Sequence, residues 1–205
     1  MEVVFDASMD MSTHVDRLVS TCFYQLRRIR AIRRSIPTST AIQLVNSFVI
    51  SRIDYCNSIL AGLPACEFDR IQSVLNSAAR LIYGRSKCDH VTPFLRDKLH
   101  WLRAEQRVRY KCCLMVYKAL SGLAPHYIEQ FCKKVAVSES RVCLRSAAQN
   151  KLVIPRTITK FGERSFSVSG PSAWNTLPDH IKLSPTIDCF KPNLKTFLFR
   201  QSYDY

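Results

Sequence analysis

Apolar positions in the first half of the chain recur at the three- and four-residue intervals of α-helices. From Val15 to Ile29 the apolar side chains fall on one helix face, and residues 67–83 carry a second such stripe. The pattern predicts helices over about residues 12–34, 38–61 and 67–83. Gly84 follows the third helix directly, as glycine does at many helix C-termini.

Shorter periodic segments continue this pattern as far as residue 136. Thr92 and Pro93 are typical of a helix start, which predicts a short helix ending near Leu99. Two more helices are predicted at about 103–120 and 126–135, separated by glycine and proline. Residues 12–136 are therefore predicted to be a helical region.

The pattern changes after Ala136. Residues 137–150 are polar, and residues 152–154, 158–161 and 165–168 are short runs of β character. A short helical turn is predicted to start at 171–174 and to end at Leu177 and Pro178. A final helix is expected to start near Pro192, because proline inside a helix costs about 3 kcal/mol. The predicted fold class is mainly α, a helical bundle of about five to seven helices with a small β-containing C-terminal unit.

Composition and charge narrow the class of protein. Of 205 residues, 47% are hydrophobic and only 5 are glycine, which excludes a disordered or low-complexity chain. Thirty Lys and Arg against 16 Asp and Glu give a net charge of +14, which favours a polyanionic partner, either nucleic acid or an anionic membrane. No apolar run reaches the roughly 18 residues of a membrane span, and the acidic N-terminus is unlike a signal peptide. We expect an intracellular protein of the nucleus or cytoplasm without membrane association.

Twelve of the 30 cations lie in two segments, residues 17–34 and residues 141–164. The first has six arginines and no acid, and it is either a solvated helix end or a patch that follows a phosphate backbone. Phe161, Phe166 and Trp174 lie in or near the second; aromatics beside cations suit unpaired bases, but we favour a core role for Phe166 and Trp174. The candidate nucleic-acid-binding residues are Arg27, Arg28, Arg30, Arg33, Arg34, Arg141, Arg145, Lys151, Arg156, Lys160 and Arg164.

No set of residues in the sequence indicates a complete catalytic site. The pair Asp54-Tyr55 invites comparison with the Tyr-x-Asp-Asp of polymerases, but the second aspartate is missing and two-metal catalysis needs at least two carboxylates. Asp54 is interpreted as a structural acid, and no catalytic residue, metal or cofactor is predicted. The nine cysteines include no Cys-x-x-Cys and are expected to be reduced, mostly buried thiols. Zinc is the minor alternative, since Cys88 and His90 have no second pair to complete a site.

Several blocks of the chain resemble the polyproteins of LINE-type, non-long-terminal-repeat retrotransposons of the jockey-like group. The blocks are SRIDYCNSILAGLP (51–64), IQSVLNSAARLIYG (71–84), DHVTPFLRDKLHWL (89–102), YKALSGLAPHYI (117–128), LRSAAQNKLVIPRT (144–157), FGERSFSVSGPSAWNTLPDHIK (161–182) and FKPNLKTFLF (190–199). They follow one another in order over nearly the whole chain. The resemblance implies a piece of a reverse transcriptase downstream of its palm. It identifies residues 1–11 as a palm-exit strand and loop, 12–136 as the thumb-like helical region, and 137–205 as the basic C-terminal region.

The resemblance implies a function without catalysis. A thumb holds the template–primer duplex by its backbone, and the C-terminal region is expected to bind element RNA or target DNA. The first hypothesis is thus a non-catalytic fragment that binds RNA, DNA or an RNA–DNA duplex. The alternatives are a helical protein-interaction or structural module from a degenerate element and, third, a complete enzyme. Packing against the missing palm or self-association is a further expectation, because thumb helices normally pack on the palm.

Overall fold

The computed structural model describes residues 2–6, 10–135 and 150–203. It is mainly helical, and it divides into two compact units. The first unit comprises Met1–Asn57, Leu63–Arg107 and Ser202–Tyr205, and the second comprises Ser58–Gly62 and Val108–Gln201. The boundary predicted near residue 136 lies at the edge of a segment outside the described residues.

The described residues form ten α-helices and several tighter or wider turns. The α-helices are α1 (Ser12–Ile32), α2 (Thr38–Val45), α3 (Ser51–Asp54), α4 (Ala65–Tyr83), α5 (Ala104–Leu120), α6 (His126–Glu129), α7 (Lys160–Arg164), α8 (Phe166–Asn175), α9 (Asp179–Lys182) and α10 (Ile187–Tyr203). Two 3-10 turns lie at Arg33–Ser35 and Asn57–Leu60, and two π-helical turns lie at Asn46–Ile50 and Phe94–Lys98.

The core of the first unit lies mainly between α1, α2 and α4. Val15 and Cys22 of α1, Val45 of α2, and Leu75 and Ile82 of α4 are fully buried. These residues belong to the predicted apolar stripes, so the local pattern placed them correctly. Burial of one such side chain contributes about 1.5–3 kcal/mol, which exceeds what helix propensity alone provides.

Helices α1 and α4 run in the same direction. Near their N-terminal ends, Asp16 of α1 forms an ion pair with Arg70 of α4. At their C-terminal ends, Arg33 donates a hydrogen bond of 2.7 Å to the carbonyl oxygen of Ile82. The two C-termini, which both carry partial negative charge, therefore lie close together.

The core of the second unit is built around Phe190 of α10. Its ring stacks on Tyr117 at a centroid distance of 4.2 Å and lies 6.0 Å from Trp174 in a tilted arrangement. The indole of Trp174 is buried and its Nε1 donates to the carbonyl oxygen of Asn150. Trp174 is thus a core residue, as we favoured from the sequence.

The predicted β-containing C-terminal unit is wrong for the residues that the structure describes. They contain one isolated β-bridge, between Lys134 and Leu152, and no strand. Much of the second and third β-like runs lies in α7 and α8 instead. Thr159 caps α7, because its Oγ1 accepts a hydrogen bond of 3.0 Å from the backbone N–H of Gly162. A strand needs a paired neighbour, and the Thr159 cap offered the second run a helical alternative.

The predicted palm-exit strand around Val4 is also absent from residues 2–6. The backbone N–H of Val4 donates to Nδ1 of His14 at 3.4 Å rather than to a neighbouring strand. Burial lowers the pKa of His14, which favours the neutral ring that this acceptor role needs. The segment therefore contacts α1 without forming a strand.

Three predicted helix boundaries need correction. The helix predicted at 38–61 is interrupted after α3 at Cys56, whose φ of +50° is incompatible with a right-handed helix. The helix predicted at 126–135 is only the four residues of α6. The final helix begins at Ile187, so Pro192 lies inside it; burial of Phe190, Leu194 and Leu198 offsets the hydrogen bond that proline removes.

The cysteines are less buried than the sequence predicted. Among the eight in the described residues, Cys22, Cys112, Cys113 and Cys132 are buried and the other four are exposed; all eight are free thiols. Burial raises the pKa of Cys112 and Cys113 to about 12, which makes these thiols unreactive at neutral pH. In the described part of the chain, no helix combines the length and apolar character that crossing a bilayer requires.

Candidate nucleic-acid interface

A groove of about 720 Å³ lies in the first unit between α1 and the C-terminal end of α4. Fourteen residues line it, and none of these described residues is acidic. Six are cations, and they are Arg27, Arg30, Arg33, Arg80, Arg85 and Lys87. We call this feature the basic groove. The other lining residues are Phe23, Leu26, Ser73, Asn76, Ser77, Leu81, Gly84 and Ser86.

Helix geometry explains why these cations meet. Arg27 and Arg30 are three residues apart on α1, and Arg33 follows three residues later in the 3-10 turn after that helix, so all three line the same side of the groove. Because α1 and α4 run in the same direction, their C-terminal cations line the same space. Gly84 has a φ of +61° and ends α4, after which Arg85 and Lys87 continue along the groove.

Arg33 serves mainly as a structural residue within the basic groove. Its Nε donates to the carbonyl oxygens of Leu81 and Ile82 at 3.1 and 3.2 Å, and its Nη2 donates to Ile82 at 2.7 Å. Its Nη1 donates to the carbonyl oxygen of Ile36 at 3.0 Å. The guanidinium therefore caps the C-terminus of α4, where carbonyls lack partners within the helix and a cation is favoured.

Arg80 and Arg85 are also engaged by the protein, though more weakly. Arg80 donates to the carbonyl oxygen of Asp89 at 3.3 and 3.4 Å, and the guanidinium of Arg85 lies 5.1 Å from the ring centroid of Phe94. The Asp89 carboxylate accepts a hydrogen bond from the backbone N–H of Ser86, which lowers its pKa and keeps it ionised beside the groove. These contacts leave each guanidinium with further donors.

The remaining three cations of the basic groove are Arg27, Arg30 and Lys87. All three are exposed, and the structure shows no hydrogen bond or ion pair from their charged groups to any described residue. Helix capping accounts for Arg33, but it does not account for these three. They form the part of the groove that is able to bind an external anion.

Uncharged polar side chains line the α4 wall between the cations. Oδ1 of Asn76 accepts a hydrogen bond of 2.9 Å from Gln72, so the amide NH₂ of Asn76 is its remaining polar group. The hydroxyl of Ser73 donates to the carbonyl oxygen of Arg70 at 2.7 Å, whereas Ser77 is half-buried in the wall. The wall thus offers amide and hydroxyl groups as well as charge.

The structure separates the predicted arginine cluster of α1 into two groups. Arg27, Arg30 and Arg33 line the basic groove, whereas Arg28 and Arg34 are exposed and are not among the residues that line it. The guanidinium of Arg28 lies 5.9 Å from the ring centroid of Tyr24. Arg80, Arg85 and Lys87 were not predicted as binding residues. Their position at the end of an amphipathic helix was a sequence signal that could have indicated them.

The predicted cations of the tail belong to the second unit. Arg141 and Arg145 lie outside the described residues. Arg156 and Lys160 are exposed, and Lys151 is half-buried. The side chain of Arg164 packs over Gly62, because a Cβ added at that glycine would lie 2.8 Å from Cγ of Arg164. The tail cations remain candidate binding residues, without a described groove of their own.

Asp54, interpreted from the sequence as a structural acid, forms an ion pair with Arg107. Both of its carboxylate oxygens accept hydrogen bonds from Nη1 of Arg107, at 3.0 and 2.9 Å. Arg107 also donates to the carbonyl oxygen of Leu102 and lies 5.8 Å from the ring centroid of Trp101. The described residues contain no group of three His, Cys, Asp or Glu side chains placed to hold a metal ion.

Comparisons of the chain with protein-family models, curated proteins and solved structures give no match.

Proposed function

We propose that the chain is a non-catalytic nucleic-acid-binding segment of a retrotransposon reverse transcriptase, and that its basic groove contacts a phosphate backbone. The observation that supports this proposal most is the composition of the groove wall. Six cations line it without an acidic residue, and three of them have no charged or hydrogen-bonding partner among the described residues. Exposed cations such as these three, which lie close together and have no described ion-pair partner, favour a polyanion.

The location of the groove agrees with the family resemblance. The resemblance identifies α1 as the first thumb-like helix, and α1 provides Arg27 and Arg30. A thumb contacts the backbone of its nucleic acid rather than the bases. Arginine side chains suit this role, because they form bidentate hydrogen bonds with phosphate oxygens. Binding through the basic groove should therefore depend little on sequence.

A helical protein-interaction module is the second candidate function. Phe23, Leu26 and Leu81 give the groove an apolar floor, which would also accept an acidic amphipathic helix. The two functions differ in their response to nuclease. In a pull-down, a protein partner would remain bound after nuclease treatment, whereas a bound nucleic acid would be lost.

The proposed function predicts binding that falls steeply with salt. Each phosphate that a cation neutralises contributes about −0.7 to the slope of log K against log salt for single strands. Three to six groove contacts therefore predict a slope of about −2 to −4, or a roughly 20- to 300-fold loss of affinity between 50 and 200 mM salt. Fluorescence anisotropy with a labelled RNA of mixed sequence measures this slope.

A slope shallower than about −1 would contradict backbone binding by the groove. The same preparation, given a primed template, Mg²⁺ and nucleotides, should extend no primer. Extension would overturn the non-catalytic part of the proposal.

A further inference from the structure

We infer that the occupant of the basic groove is single-stranded nucleic acid rather than a duplex. This inference rests on the proposed function and specifies the class of ligand. It comes from two kinds of lining residue: the exposed cations Arg27, Arg30 and Lys87, which we call the rim, and the less exposed apolar residues that include Phe23, which we call the floor.

A single strand can satisfy both parts at once. Its phosphates can reach the rim cations while a ribose or an unstacked base covers the half-buried ring of Phe23, since stacking of bases on aromatic side chains tolerates any sequence. In a duplex the base faces are already stacked on one another, so only the phosphates could approach. The floor would then stay open to water and contribute nothing to affinity.

The dimensions of the groove agree with a short segment of one strand. The wall formed by α1 and the turn after it extends from Phe23 to Arg33, about 15 Å at 1.5 Å per residue. A volume of about 720 Å³ lies in the range of pockets that hold a compact ligand. Asn76 and Ser77 add an amide and a hydroxyl that can pair with a base edge or a ribose 2′-OH.

The test compares one RNA sequence as a single strand, as an RNA–DNA duplex and as an RNA duplex, each titrated against the chain at the same salt concentration. We expect the single strand to bind at least about tenfold more tightly than either duplex, because stacking of one or more bases on the protein adds to its affinity. Equal or tighter binding of a duplex would overturn the inference in favour of the template–primer duplex that the resemblance implies, while leaving the proposed function intact. Failure of all three nucleic acids to bind would overturn the proposed function itself.

A matched pair of aromatic variants tests the role of the floor. Phe23→Ala should weaken single-strand binding by about 5- to 100-fold, as loss of one stacked base does, and should change duplex binding little. Tyr24→Ala is the control, since Tyr24 is exposed and is not among the residues that line the groove. Equal weakening of single-strand and duplex binding by Phe23→Ala would overturn the inference, with circular dichroism confirming that the variant is folded.

A polyglutamate peptide of matched charge serves as the competitor. It should not displace the single strand at concentrations where unlabelled RNA does, since it has no flat ring to cover Phe23. Displacement at equal concentrations would overturn the inference in favour of general anion binding.

Discussion

Replacing Arg27 and Arg30 together by glutamate is expected to weaken binding of single-stranded RNA by at least about 100-fold at low salt. Each charge-assisted hydrogen bond to a phosphate contributes about 1.5–3 kcal/mol, and about 1.4 kcal/mol corresponds to a factor of ten. The two residues have no described protein partner, so the loss should come from binding and not from unfolding. Anisotropy titrations, with thermal melting of each variant, measure both quantities.

The double variant Arg28→Glu with Arg34→Glu is the matched control. It makes an identical change in net charge at the same end of α1, but neither residue is among those that line the basic groove. We expect a decrease in affinity of only a few-fold, from the weaker long-range field. Equal losses for the two double variants would indicate diffuse attraction to a basic surface and would contradict a specific groove.

Arg33→Ala is expected to lower the free energy of unfolding by about 2–3 kcal/mol, and the melting temperature by roughly 5–10 °C. The guanidinium holds the carbonyl oxygens of Leu81 and Ile82 at the end of α4 and that of Ile36 in the turn after α1. Its removal leaves carbonyls at a helix C-terminus without their donor. Partial exposure of the site lets water replace some of these bonds, which keeps the expected loss moderate.

Two variants, Arg33→Lys and Arg34→Ala, are the controls for Arg33→Ala. Arg33→Lys should not restore stability, because an ammonium lacks the planar fork that reaches several carbonyls at once. Arg34→Ala removes an exposed arginine of the same turn and should change stability by no more than about 0.5 kcal/mol. Unchanged melting of Arg33→Ala would show that this residue does not join α1 to α4.

Local periodicity predicted much of the first unit. The stripes on α1 and α4 and the Gly84 cap are properties of neighbouring residues, and the structure confirms them. The basic groove depends on α1 and α4 running in the same direction, because only then do Arg27 and Arg30 line the same space as Arg80, Arg85 and Lys87. That arrangement is set by contacts between residues about 50 positions apart, such as Arg33 with Ile82, and no local pattern contains it.

Short apolar runs explain the errors in the second unit. A run such as residues 158–161 is compatible with a strand or a helix. The hydroxyl of Thr159 favours the helix, because it caps α7. Because of Pro192, the last helix was predicted to start later than it does. The three-residue and four-residue intervals of Phe190, Leu194 and their neighbours were nevertheless the stronger signal, because the buried face they form stabilises α10 despite the proline.

Arginine footprinting tests most directly whether the basic groove is the nucleic-acid interface. The folded chain is treated with phenylglyoxal, with and without saturating single-stranded RNA, and the modification rate of each arginine is read by mass spectrometry. The account predicts that RNA protects Arg27 and Arg30, while Arg28 and Arg34 on the same helix end react at unchanged rates. Equal protection of all four arginines, or protection of none, would contradict it.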